Sequence, residues 1–189
     1  MSFDTIINKL KEGNARFAAD ELQHANIDQL RRDGLTSGQS PDVIVLSCAD
    51  SRVVPELAFD AGLGELFVVR VAGNIANSSS LASIEYAVAH VGSKVIIVLG
   101  HESCGAVTAA LAGGDNGYNL NHLLAHIVPA IQESGEGSNL NDVIRINARK
   151  NAEELVNRSA IIRDAVNEGR VKIVPAYYNL SNGKIDFLD

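Results

Sequence analysis

Two runs of β-branched and aliphatic residues, at 43–47 and 95–100, constrain the fold of this chain more than any other feature. Runs of this length and composition are typical of strands that are buried on both faces of a parallel sheet. Helical patterns alternate with such strands along the chain, which favours an α/β domain with a mainly parallel central sheet flanked by helices. We therefore expect both runs to end at the carboxyl edge of one sheet, where open α/β sheets bind ligands.

The two cysteines of the chain and one histidine lie at the ends of these runs. Cys48 follows the first run, His101 follows the second, and Cys104 comes about one helical turn later. Two thiolates and one imidazole suit Zn²⁺, and three protein ligands leave one tetrahedral position free, as in catalytic zinc sites. The spacing predicts such a site, and the alternative is two core cysteines beside an unrelated histidine.

Asp50 and Arg52 follow the first of these ligands at intervals of two residues. A carboxylate at this position can accept a hydrogen bond from a metal-bound hydroxide, or it can take the fourth metal position itself. Arg52 can hold Asp50 in a bidentate pair. Our hypothesis is that this pair, made or broken, decides whether zinc carries hydroxide, so that activity falls at lower pH. A surface ion pair is the alternative.

Length, charge and cysteine content limit the class of protein. We expect one domain over residues 1–189, with an N-terminal helical arm at 1–35 and an α/β zinc core at 36–189. The net charge of −7 argues against a protein that binds nucleic acid or an anionic membrane. The chain shows no secretory signal and no run long enough to cross a membrane, and two cysteines suggest a reducing compartment. A cytoplasmic location is expected, although a mature organellar protein whose transit peptide has been removed would have the same features.

The other segments are assigned by their periodicity and their breaker residues. Residues 3–19 predict an amphipathic arm that must pack on the main body or on a partner subunit. Residues 113–141 are rich in glycine, asparagine and serine around one apolar piece, which indicates a lid or a variable insertion. The remaining assignments are a polar connector at 31–41, a short helix from Pro55, a strand at 65–72, a helix after Ser78–Ser80, an Ala-rich helix at 104–111, one or two helices over 141–168, a strand at 171–174 and a last edge strand ending at Phe187.

Cys-x-Asp-Ser-Arg followed by His-x-x-Cys-Gly resembles the β-class carbonic anhydrases. The resemblance covers most of the chain and is strongest from residue 37 to residue 111. Four further segments are similar to family segments, and they are Leu10–Asn14 with Phe17, Gly38–Pro41, Gly64–Arg70 and Ser83–Ala87. Each segment alone is a weak signal, whereas all of them in this order and spacing are highly specific.

The resemblance implies a complete set of site residues and an activity. It implies zinc on Cys48, His101 and Cys104, with Asp50 and Arg52 as the pair that orients the hydroxide. The pocket for CO₂ and bicarbonate would be partly donated across a dimer interface and lined by Gln39, Phe67, Ala72, Tyr86 and Gly105. The activity would be the reversible hydration of CO₂ to bicarbonate and a proton. The family's building block is a homodimer whose N-terminal helices embrace the partner, and dimers often pair further.

Two departures from the family pattern concern regulation and local backbone. Some bacterial members hold inhibitory bicarbonate with a Trp, an Arg and a Tyr. Arg70 and Tyr178 match two of these positions, but Val45 stands where the Trp would be, and the chain has no Trp. Bicarbonate inhibition is therefore not expected. Pro175 replaces a usual Gly, which predicts a local change in the backbone there.

Alternative functions keep part of this chemistry. A hydrolase of CS₂ or COS on the same fold would attack a similar carbon, although the Asp-Ser-Arg sequence favours CO₂. A non-catalytic zinc protein that senses thiol oxidation or bicarbonate would bind the metal without hydrating CO₂. A redox dithiol is less favoured, because the cysteines lack Cys-x-x-Cys spacing. His122 and His126 are four residues apart on a predicted helix and can bind a metal, although solvated or structural histidines are far commoner there.

Overall fold

The computed structural model describes residues 1–188 and is built around one five-stranded sheet with the strand order β2-β1-β3-β4-β5. The strands are β1 (Val43–Ser47), β2 (Leu66–Arg70), β3 (Val95–His101), β4 (Lys172–Tyr178) and β5 (Ile185–Phe187). Strands β1 to β4 are parallel, and β5 pairs antiparallel with β4 at the edge. The predicted fold class and the predicted last edge strand are confirmed.

Nine helices are described in residues 1–188, and they cover both faces of the sheet. They are α1 (Phe3–Ala18), α2 (Gln29–Gly34), α3 (Pro55–Ala58), α4 (Ser78–Tyr86), α5 (Gly105–Ala112), α6 (Tyr118–Ala125), α7 (Val128–Ser134), α8 (Leu140–Arg158) and α9 (Ala160–Asn167). A 3₁₀ turn (Ala72–Asn74) follows β2, and a π-helical turn (Ala87–Val91) extends α4. No helix in this described range is long and apolar enough to cross a membrane.

The central strands β1 and β3 are buried along their whole length. Alternate side chains of β1 point to opposite faces, so Val43 and Val45 join one apolar cluster while Ile44 and Leu46 join the other. The first cluster lies under α1 and α3, and the second lies under α4, α8 and α9. Continuous burial explains why both strands read as unbroken apolar runs rather than alternating ones.

Helix α1 packs on the body of its own chain. Ile6, Ile7 and Leu10 are buried in the same cluster as the strands. The side chain of Asn14 fixes the helix further, because its Nδ2 donates to the carbonyl oxygens of Ala58 (3.0 Å) and Gly183 (2.8 Å). The main body therefore covers the apolar face of the arm, and contact between the arm and a partner subunit stays a prediction.

Several segments differ in detail from the expectations. The connector at 31–41 overlaps α2, which Asp28 caps through a hydrogen bond from the N–H of Arg31. Residues 113–141 contain α6 and α7, and the 141–168 region forms two helices that meet at Ser159. Strand β2 is shorter than predicted, and β4 is longer.

Pro175 lies inside β4 without breaking it. Its carbonyl oxygen accepts a hydrogen bond from the N–H of Leu188 (2.8 Å), on the side of β4 that faces away from β3. The position of its missing N–H is on that same side, where β5 pairs with β4 only from Ala176 onwards. The proline therefore removes no hydrogen bond from the β3–β4 ladder, which explains why a strand tolerates it here.

Candidate metal centre

Three candidate ligands meet at the carboxyl ends of the two central strands. Cys48 follows β1 directly, His101 is the last residue of β3, and Cys104 precedes α5. Because β1 and β3 are neighbours in parallel register, their ends lie side by side. The three ligand atoms lie within 4.8 Å of one another, all three residues are buried, and the two sulfurs are 4.0 Å apart. The structure thus brings together the three residues that the sequence predicted.

The imidazole of His101 is oriented as a ligand. Its Nδ1 lies 2.9 Å from the carbonyl oxygen of Glu102, and a carbonyl oxygen only accepts hydrogen bonds, so Nδ1 carries the proton. Nε2 is then an unprotonated nitrogen, and it is buried without a hydrogen-bond partner. A buried acceptor without a partner is costly in a folded protein, and a metal ion bound at Nε2 would satisfy it. The donor set of two sulfurs and this nitrogen therefore fits zinc.

The two thiols share one proton in the absence of a metal. A hydrogen bond from the Cys104 thiol is the largest effect on Cys48 and, against the opposing effect of burial, lowers the pKa of Cys48. The backbone N–H of Gly73, whose nitrogen lies 3.4 Å from the sulfur, lowers it further. The pKa of Cys104 is raised because this thiol donates to Cys48 and is buried. A metal ion that replaces the shared proton would make both sulfurs thiolates.

Asp50 and Arg52 form the predicted pair beside these ligands. Arg52 donates from Nε to Oδ1 (2.9 Å) and from Nη2 to Oδ2 (2.8 Å) of Asp50. The hydrogen bond from the guanidinium is the main reason why the pKa of Asp50 lies well below its usual range. Oδ2 of Asp50 is also 3.8 Å from Nε2 of His101. An ionised carboxylate therefore stands next to the unpartnered nitrogen.

Arg70 supports the turn that carries the first ligand, a role that the sequence did not indicate. Its Nε donates to the carbonyl oxygen of Cys48 (3.0 Å), and its Nη2 donates to that of Asp50 (2.7 Å). Arg70 is the last residue of β2, and Tyr178 is the last of β4, so three strand spacings, roughly 14 Å, separate them. The two residues that match the family's inhibitory bicarbonate site thus lie on strands that are not neighbours in the sheet.

The expected pocket residues fall into two groups. Ala72 precedes the glycine that donates to Cys48, and Gly105 follows Cys104. A Cβ atom added at Gly105 would meet no atom within 4 Å, so this residue borders open space. These two residues lie beside the metal ligands of their own chain.

The second group lies away from those ligands. Gln39 precedes β1, at the amino edge of the sheet, and borders a cleft of about 590 Å³ there. Phe67 is paired with Ile44 near the start of the edge strand β2. Tyr86 is 51% exposed, with its ring centroid 6.4 Å from that of Phe67. One chain therefore does not bring Gln39, Phe67 and Tyr86 to its own metal ligands.

The histidine pair that the sequence offered as a second candidate forms no comparable cluster. The rings of His122 and His126 are 5.6 Å apart and nearly perpendicular. Within residues 1–188, Cys48, His101 and Cys104 make up the one group of three or more potential ligands that lie close enough together to hold a metal ion. The pair on α6 therefore lacks a third ligand from the described part of the chain.

Known proteins with similar sequences and folds point to one family. Residues 43–185 match the family model described as carbonic anhydrase. The chain is 41% identical to carbonic anhydrase 2 of Mycobacterium tuberculosis, over 93% of this chain and 87% of that protein. It is 39% identical to the carbonic anhydrase of Mycolicibacterium smegmatis, over 94% and 89% of the two chains. Among solved structures, a tetrameric β-carbonic anhydrase of Sordaria macrospora matches with a TM-score of 0.75 at 27% identity, over 98% and 97% of the chains.

Proposed function

The chain belongs to the β-class carbonic anhydrases, which hydrate CO₂ reversibly with zinc, and from that premise we propose which of its residues carry out the reaction. Cys48, His101 and Cys104 hold the zinc ion. The observation that carries this assignment is the buried, unpartnered Nε2 of His101 in a group whose ligand atoms lie within 4.8 Å of one another. When bound, zinc supplies Lewis acidity that lowers the pKa of a water molecule in its free position towards neutrality.

Asp50 and Arg52 orient the attacking water. Oδ1 of Asp50 accepts hydrogen bonds from both Nε and the backbone N–H of Arg52, whereas Oδ2 accepts one from Nη2 and keeps a lone pair for a further donor. Because Arg52 keeps the carboxylate ionised, Asp50 acts only as an acceptor. It therefore takes a hydrogen bond from the water and leaves a lone pair of the water directed at the carbon of CO₂. Ala72 and Gly105 border the space that receives the substrate.

Asp50 also offers a way to close the site. Its Oδ2 is 3.8 Å from Nε2 of His101, so the carboxylate lies near enough to the ligands that it could itself become the fourth ligand of a bound zinc ion. That movement requires the two hydrogen bonds from Arg52 to break. We propose that the pair with Arg52 corresponds to the active arrangement and that its loss corresponds to an inhibited one.

Gln39, Phe67 and Tyr86 complete the pocket of a second copy of the chain in a homodimer. Two observations support this: these residues lie away from the metal ligands of their own chain, and a large part of Tyr86 is exposed. The similar Sordaria macrospora enzymes are tetrameric, which supports a further pairing of dimers. A mixture of Cys104→Ser and Gln39→Ala subunits tests the arrangement. Mixed dimers would regain one intact site if the pocket is shared, and none if each chain supplies its own glutamine.

The experiment that tests the assignment is stopped-flow hydration of CO₂ by the zinc-loaded protein. Asp50→Asn keeps the size of the side chain but removes the charge, and we expect a loss of activity of about 10- to 100-fold. Asp42→Asn is the matched control, because Asp42 pairs with Lys94 at the other end of the sheet. The same assay with COS and CS₂ separates the alternative substrates, and zinc binding without any turnover would identify a sensor instead.

Two further features support proposals about the location and the domain organisation of the protein. Cys48 and Cys104 are free thiols that must stay reduced to bind the metal, and we therefore place the protein in the cytoplasm. The burial of α1 in the same apolar cluster as the strands supports a single domain over residues 1–189, with the arm at 1–35 and the core at 36–189.

A further inference from the structure

A short turn next to the metal ligands has an unusual backbone. Residues 72–76, named here the Gly73 turn, follow β2 and contain two consecutive residues with positive φ, Gly73 at 72° and Asn74 at 45°. A left-handed asparagine is uncommon and costs free energy unless its surroundings fix it. Both residues are buried. The turn is therefore held in a conformation that it would not adopt alone.

The turn makes a direct hydrogen bond to a metal ligand. The backbone N–H of Gly73 donates to Sγ of Cys48, with 3.4 Å between nitrogen and sulfur. The positive φ of Gly73 disfavours any residue other than glycine, and an added Cβ would crowd Cδ1 of Ile127 (2.9 Å) and Cβ of Ala106 (3.3 Å). The glycine thus allows the backbone to approach the sulfur closely.

Two buried amides of α8 fix the Gly73 turn. Asn147, which is fully buried, donates from Nδ2 to the carbonyl oxygen of Gly73 (2.9 Å). One helical turn later, Oδ1 of Asn151 accepts from the N–H of Ala76 (2.7 Å), while its Nδ2 donates to the carbonyl oxygen of Asn147 (2.8 Å). Buried side-chain amides are retained where their hydrogen bonds are satisfied, and Asn147 and Asn151 meet that condition.

We propose that Asn147 is a positioning residue for catalysis, which acts through Gly73 on the sulfur of Cys48. By holding the carbonyl of Gly73, Asn147 fixes the φ and ψ angles of that residue and so the direction of its N–H towards the sulfur. A thiolate that accepts a hydrogen bond donates less charge to its metal, which leaves the metal a stronger Lewis acid. This inference rests on the proposed zinc site. It adds to that site a residue that lies 99 positions after Cys48 along the chain.

The test uses cobalt in place of zinc, because thiolate-to-cobalt charge-transfer absorption reports the electron density on sulfur. Asn147→Ala removes the donor to Gly73. We expect the charge-transfer band to move to lower energy and kcat to fall about 10-fold with little change in KM. Asn147→Ser leaves a smaller cavity and should give the same shifts, so that a poorly folded Asn147→Ala protein would not end the test.

Ser80→Ala is the matched control. Ser80 is buried and its Oγ donates to the carbonyl oxygen of Ile75 (2.9 Å), which lies in the same turn, two residues after the glycine whose N–H reaches the sulfur. We expect this variant to lose stability without moving the band. An unmoved band in both Asn147 variants, with kcat no lower than in Ser80→Ala, would overturn the inference while leaving the metal site intact. Absence of the band in the wild-type protein would overturn the metal site and this inference together.

Discussion

Oδ2 of Asp50 and Nε2 of His101 lie 3.8 Å apart at the carboxyl edge of the sheet, one ionised and the other without a partner. The pair places an ionised carboxylate directly beside the group of candidate metal ligands. Arg52 holds the carboxylate from one side, and Arg70 holds the backbone of the turn from the other. Four measurements follow from this arrangement and from the packing that supports it.

Arg52 controls the state of Asp50, and its replacement should show this. In Arg52→Gln the pKa of Asp50 should rise towards its ordinary value, because the guanidinium hydrogen bond is the largest effect that lowers it. We expect CO₂ hydration to fall about 10- to 100-fold, with a smaller loss in Arg52→Lys, which keeps the charge but not the bidentate geometry. Steady-state kinetics of both variants provide the measurement. Arg163→Gln, on the surface of α9, serves as the control, and wild-type kinetics in Arg52→Gln would contradict the assignment.

Loss of one metal ligand should remove both metal and activity. In Cys104→Ser we expect less than stoichiometric zinc after purification and a loss of CO₂ hydration of at least about 100-fold, more than outer-sphere changes cause. Elemental analysis and stopped-flow kinetics check this. His122→Ala should retain a full equivalent of zinc, because the pair on α6 lacks a third ligand. Equimolar zinc in Cys104→Ser would show that the ion is held elsewhere.

Asp60 should make stability depend on pH in the acid range. Burial by itself would raise the pKa of Asp60, but hydrogen bonds from Arg16 and from the N–H groups of Gln23 and His24 outweigh it, so the pKa is lowered on folding. A carboxyl group whose pKa falls on folding stabilises the protein above its unfolded pKa of about 3.9, and this contribution is lost as the pH drops below that value.

Urea unfolding at pH 5.5 and pH 3.5 tests this effect. The wild-type protein should lose more of its free energy of unfolding between these two conditions than Asp60→Asn does. Asp20→Asn, at an exposed carboxylate just after α1, should behave like the wild type. Equal losses in the wild type and in Asp60→Asn would show that the ion pair with Arg16 does not act as inferred.

Two glycines in helices should respond oppositely to alanine. A Cβ added at Gly13 in α1 would lie 1.9 Å from the carbonyl oxygen of Phe59, so α1 must shift away from the end of α3. We expect Gly13→Ala to cost about 3 kcal/mol of unfolding free energy. At Gly34 in α2 an added Cβ meets nothing within 4 Å, and Gly34→Ala should be neutral or stabilise the protein by up to about 1 kcal/mol. Thermal melts of both variants measure these changes in stability. Equal melting temperatures in the two variants would count against the tight docking of α1.

Two of the candidate metal ligands, Cys48 and His101, were predictable because they lie at the ends of uninterrupted apolar strands. The proximity of Cys48 and His101 follows from the rule that parallel strands end at one edge of the sheet. The pairing of Asp50 with Arg52 follows from their spacing after Cys48. The bounds of β1 and α1 were predicted for similar reasons, from long and regular patterns.

Other features left no local signal in the sequence. Asn147 reads as an ordinary polar residue of a long helix, and its role comes from a hydrogen bond to Gly73, 74 residues away. Arg70 was noticed only for its match to a family position, whereas its hydrogen bonds go to backbone carbonyls that any residue type carries. Strand β4 continues past Pro175 because of where β5 begins, which local propensity does not encode.

The sulfurs of Cys48 and Cys104 come from positions 56 residues apart and meet only when β1 and β3 pair. During synthesis on the ribosome, the first cysteine therefore emerges long before its coordination sphere exists. At the proposed site, binding of zinc would be coupled to closure of the sheet, and its free energy would contribute directly to holding the two halves of the chain together. Cells starved of zinc should consequently accumulate a less durable form of this enzyme, not merely an inactive one.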